Sequence, residues 1–223
     1  MSSEEMPRSL REAVAADLEP VRPIRPTWRR TLLVAAVATA VLAAMLLTGT
    51  LRPDLAVLPG WLSWGATLVE LAVAMLIVGL ALREAVPGAA VPTATIRAAA
   101  ALGLVLQVLV GVATWVASPG MAPGPAWFAK GATCLSHDTA LILPTFAVTM
   151  WLVFRAVPMR APVAGLLGGL GAALAGDAVT HLLCPLSDLR HVLAWHTGAI
   201  LGFAAVGWLV GTLWSRRWWR HSR

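Results

Sequence analysis

The 223 residues are 58% apolar and only 13% charged, a balance that excludes an ordinary soluble domain. The formal net charge is +6, but the basic residues sit at the ends of apolar runs instead of on one face, which argues against direct nucleic-acid binding. Two cysteines give no disulfide framework and do not by themselves fix a compartment.

Residues 1–30 are polar. Within them Met6–Leu18 reads as a short amphipathic helix, with Leu10, Val14 and Leu18 at four-residue spacing and Arg8, Arg11, Glu12 and Asp17 around the rest. Such a helix is marginal alone and needs a surface or a partner groove to lie against. Pro20, Pro23 and Pro26 then favour a stiff, extended connection to Trp28 at the membrane.

Six apolar runs of membrane-crossing length follow, at about Thr31–Thr48, Trp61–Leu82, Arg97–Ala117, Cys134–Phe154, Ala161–Leu182 and Val192–Trp214. The expected fold is all-α: an integral membrane bundle of six transmembrane helices over residues 31–214, a short cytoplasmic N-terminal helix, and a basic cytoplasmic tail over residues 215–223. Lys and Arg number 14 in the two tails and the second and fourth loops, against Arg52, Lys130 and Arg190 in the other three. That bias places both ends on the cytoplasmic side. Trp28, Trp151, Trp214, Trp218 and Trp219 mark the inner boundary and Trp61, Trp64, Trp115, Trp127 and Trp195 the outer one, as expected of indoles at headgroup level. Arg29 and Arg30 before an apolar stretch resemble a secretory signal, but five further spans argue for retention of the first.

Gly165, Gly169, Gly176, Gly207 and Gly211 lie in the last two spans, where small residues let helix backbones approach closely. Glu70 and Gln107 are polar groups in the middle of spans two and three, and an acid at that depth is expected to face other helices or a water pocket. No hydrolase, zincin or phosphate-loop pattern occurs, so an enzyme is not expected.

The densest chemistry lies at the outer ends of spans four to six. Cys134, His137 and Asp138 share one helical face, Asp177, His181 and Cys184 another, and His191 and His196 follow. Four readings stay open: a Cys134 to Cys184 disulfide responding to oxidising or thiol-reactive stress; a Cys₂His₂ site of Cys134, His137, His181 and Cys184 for zinc or a similar soft metal; haem held by imidazoles from different spans; and hydrogen-bonding groups without a ligand. The leading expectation is no cofactor. A small transporter or haem-bearing membrane redox protein using Glu70 and this Cys/His cluster is the alternative function.

Asp17-Leu18-Glu19-Pro20-Val21-Arg22-Pro23 ahead of six spans, with Cys134 and the His181-Leu182-Leu183-Cys184-Pro185 to His196 region, resembles the NrsF-type anti-sigma factors; the light-controlled carotenogenesis regulator CarR is a similar six-span anti-sigma factor. The resemblance implies an inner-membrane regulator of transcription that holds an extracytoplasmic-function sigma factor and releases it on a stress or light signal. It implies a sigma-binding tail, with Leu10, Val14, Leu18, Pro20, Arg22 and Pro23 as contact candidates, and Cys134 and Cys184 as the signal-sensing pair.

Overall fold

The structure, a computed structural model, describes residues 7–17, 23–48, 51–118 and 124–221. The described residues contain seven helices and no strand. They are α1 (Arg8–Asp17), α2 (Thr27–Thr48), α3 (Trp61–Glu84), α4 (Thr93–Ala117), α5 (Trp127–Arg155), α6 (Ala161–Thr180) and α7, which begins as Leu189–His191, passes through a π-helical turn at Val192–His196 and continues as Thr197–His221. The six from α2 onward are long and apolar enough to cross a membrane. Their starts are set by local chemistry. Proline supplies the start of α2 after Pro26, of α4 after Pro92 and of α6 at Pro162, positions where its missing N–H costs nothing.

Some boundaries differ from the sequence reading. The α5 helix starts at Trp127, a full seven residues before Cys134, because the aromatic residues there pack on α7: Trp127 and Phe128 lie 5.6 and 5.3 Å from the Trp195 ring. The last helix continues past Trp214 through much of the expected C-terminal tail.

The bundle is organised around α6, in which every residue from Leu167 to Thr180 is buried. Its glycines permit this. A methyl on Gly165 would overlap the Gly207 carbonyl, one on Gly169 the Phe203 carbonyl, and one on Gly211 the Ala161 carbonyl. The α6 and α7 backbones therefore touch, which is the small-residue contact of membrane helices. On its other faces α6 meets α3 through Gly171 against Val78, and α5 through Gly176 against Ile142. Large apolar side chains on the outer helices, among them Leu47, Leu68, Val116 and Leu213, are exposed, as expected of surfaces that face lipid tails.

The end of the bundle that carries the termini is tied by polar groups. Arg30 is buried and donates to the Leu82 carbonyl at 3.2 Å and the Leu152 carbonyl at 2.6 Å. It thus satisfies carbonyls in the last turns of α3 and α5, where a cation also complements the helix dipole. Glu84 accepts from the Val91 N–H at 2.7 Å and pairs with Arg160 at 3.1 Å.

Candidate functional site

The opposite end of the bundle holds the Cys/His cluster. The α2–α3 loop is tied directly to the segment after α6, and the end of α4 is tied to it through Asp54. Arg52, in the α2–α3 loop and 4% exposed, donates to both Asp54 oxygens at 2.6 and 2.7 Å, to the Ser187 hydroxyl at 2.7 Å and to the His181 carbonyl at 3.4 Å. Its own N–H reaches the Leu182 carbonyl at 2.9 Å. Ser118, just after α4, donates to Asp54 at 2.9 Å. The guanidinium beside Asp54 holds its carboxyl below the usual carboxylate range, against the opposing effect of partial burial.

This frame positions two stacked sets of side chains. Cys134 on α5 and Cys184 after α6 are unbonded, with sulfurs 3.6 Å apart, and His191 Nε2 lies 3.7 Å from the Cys184 sulfur. One layer toward the membrane centre, Asp138, Asp177 and His196 present ligand-capable atoms that all lie within 4.8 Å of one another. His196 Nδ1 is 2.9 Å from Asp177, and the Thr180 hydroxyl donates to Asp138 at 2.7 Å.

The repetition has a simple origin. Cys134 and Asp138 are four apart on α5, so one face carries both. Asp177 lies in the last turn of α6 and Cys184 just beyond it, where its N–H donates to the Thr180 carbonyl at 2.8 Å and keeps the chain turning above Asp177. His191 and His196 are five apart, a spacing that a regular α-helix turns roughly 140° out of line at 100° per residue. The π-helical turn Val192–His196 inserts the extra residue that brings the rings to one side, centroids 5.3 Å apart and edge to face. Asp188 caps this segment, its carboxylate accepting from the Arg190 and His191 N–H groups.

The residues singled out in the sequence divide accordingly. Cys134 and Cys184 are brought together. His137 is exposed, and His181 turns to α3, its Nε2 3.1 Å from the Leu62 carbonyl, so the imidazole beside the cysteines is His191. In the expected partner-binding tail, Leu10 and Val14 are about half exposed on α1 and Pro23 is exposed; Leu18, Pro20 and Arg22 lie outside the described residues. The structural roles of Arg52, Ser187 and Thr180 were not legible, because each acts on a residue at least 42 positions away.

A narrow cavity of about 40 Å³ runs from Ser187 and Cys184 past Asp177 and His196 to Glu70 and Gln107. That is room for roughly two or three waters. Gln107 accepts from Thr197 at 3.1 Å, whereas Glu70, 4% exposed, leaves Oε2 without a partner among the described residues.

A family model described as NrsF, negative regulator of sigma F, matches residues 14–218, which takes in the last four residues of α1, the proline segment, all six spans and both side-chain sets. The chain belongs to the NrsF family. That family is one of regulators of sigma factor. No curated protein and no solved structure matches the chain. An NrsF membrane domain thus has its conspicuous polar chemistry at one end and its tail at the other, with the glycine-packed α6 between them.

Proposed function

We propose that this NrsF protein is an inner-membrane anti-sigma factor whose cytoplasmic N-terminal helix sequesters an extracytoplasmic-function sigma factor, with the Cys134–Cys184 end on the outer side. The supporting observation is α1 itself: in a chain of a sigma-regulator family, an amphipathic helix leaves Leu10 and Val14 unburied. That is the anchor pattern of a helix bound in a partner's groove. The 14 to 3 bias of Lys and Arg supports the orientation.

Cys134 and Cys184 supply the sensing pair. Two thiols in van der Waals reach with an imidazole alongside are chemically suited to an oxidant or a thiophilic metal. A signal at that end acts on the tail by shifting the bundle between two arrangements that differ in affinity for the sigma factor, and each 1.4 kcal/mol of difference is about tenfold.

The deciding experiment is co-purification with an extracytoplasmic-function sigma factor from the same cell. Deletion of residues 1–27 should abolish recovery, and Leu10→Glu or Val14→Glu should each weaken binding by roughly tenfold or more, the loss expected for an apolar anchor. Equal recovery with and without the tail would sink the reading. Cys134→Ser with Cys184→Ser should leave sequestration intact and blunt release on treatment with a thiol-reactive agent.

A further inference from the structure

We propose that Asp138, Asp177 and His196 form a divalent-cation site, separate from the cysteine pair, with Glu70 as an additional acidic neighbour on the cavity that Asp177 and His196 line. The donor set comes from three helices and is oxygen-rich with one imidazole, which suits borderline ions such as Mn²⁺, Fe²⁺, Co²⁺ or Zn²⁺ more than soft ones. Their donor atoms lie within 4.8 Å of one another. Bonds of about 2.0–2.2 Å in tetrahedral geometry hold ligand atoms roughly 3.3–3.6 Å apart, a spacing these donors reach by side-chain adjustment within the cluster.

Burial makes the cation more than a geometric option. Asp138 is 1% exposed, Asp177 and His196 6% each, and Glu70 4%. Among the described residues, Asp138 Oδ2 and Glu70 Oε2 each lack a hydrogen-bond partner. The second of these belongs to a different helix and lines the cavity beside Asp177 and His196, an observation independent of the Asp/His grouping. The one arginine on the cavity wall, Arg52, is occupied by Asp54 and Ser187. Three carboxylates and one imidazole buried in a membrane domain are costly as free charges. A bound dication offsets two of those charges and gives the orphaned oxygens a partner.

The proline-free last turn of α6 helps to hold the set. Thr180 bonds one Asp138 oxygen and leaves the other to the site, the outer-shell support that typically orients a metal-binding carboxylate. The site stands or falls independently of sigma-factor binding.

The test uses the full-length protein in detergent with Cys134→Ser and Cys184→Ser, so that thiols contribute nothing, and Co²⁺ alone as the probe. Calorimetry should find one Co²⁺ per chain, with Zn²⁺ competing, and Co²⁺ should raise the thermal midpoint. Asp138→Asn, Asp177→Asn and His196→Gln should each weaken binding by at least about tenfold, and Glu70→Gln by less. Circular dichroism and a monodisperse elution profile establish which variants fold; Asp138→Asn, which keeps the acceptor for Thr180, is the one to rely on if another fails. Absence of Co²⁺ binding by the folded double-Ser protein, or unchanged affinity in folded Asp138→Asn, overturns the proposal.

Discussion

The two halves of the stretch from Ala161 to Ser187, which is α6 and the segment after it, carry opposite chemistry. From Ala161 to Gly176 it has no polar side chain and its neighbours are met through glycine, backbone against backbone. From Asp177 onward, Thr180, His181, Cys184 and Ser187 follow within eleven residues, and each reaches another helix or loop through a polar atom. The first half leaves no room for adjustment, since packed interiors yield little. The second half is held by bonds whose strength depends on protonation, oxidation or a bound ion. One rigid segment with a chemically responsive end is a suitable element for coupling the two sides of a membrane.

The comparison breaks most readily in the rigid half. Gly207→Ala places a methyl in the Gly165 carbonyl and should cost about 3 kcal/mol, the upper range for overpacking, measured by unfolding in mixed micelles. Gly202→Ala, on the same helix with open space at its Cβ, should stay within about 1 kcal/mol of the parent and favour the helix. Similar losses for both would mean that the seam is not tight.

In the polar half, Arg52→Leu strips donors from Asp54 and Ser187. The pair is only partly shielded on the Asp54 side, so about 2 kcal/mol is expected instead of the full cost of breaking a buried pair. The pH dependence follows the same contact. Asp54 has its folded pKa depressed by Arg52, so its contribution is present above the unfolded carboxylate value of about 3.9 and lost as pH falls through the lower folded value. The acid limb of a stability profile should flatten below about pH 4 in Asp54→Asn. The smallest effect is a gain: Val157 sits at φ 54° after α5, a left-handed conformation costly for a β-branched residue, and Val157→Gly should raise stability by about 1 kcal/mol.

The gross architecture was legible because length, hydropathy and the glycine spacing act locally along the chain. The six spans and the close α6–α7 approach were both readable for that reason. The meeting of Cys134 with Cys184 was readable as one alternative among several. The choice of imidazole was not. His137 and His181 have the helical spacing expected of cysteine partners, but His191 gains the position through the loop after Cys184 and the Asp188-capped turn that follows it, which no simple periodicity announces. Trp127–Thr133 looked like loop because Lys130, Gly131 and Thr133 interrupt its apolar pattern; packing of Trp195 on Gly131 makes it helix.

Arg30 gives the basic residues at the tail's root a second meaning. Counted as a topological charge it would be interchangeable with Arg29, yet its guanidinium bridges the ends of α3 and α5. Parting those two helices at this end breaks at least one of its bonds. The anchor point from which the N-terminal helix is suspended is therefore also a strain gauge for the bundle, placed where the tail leaves the membrane.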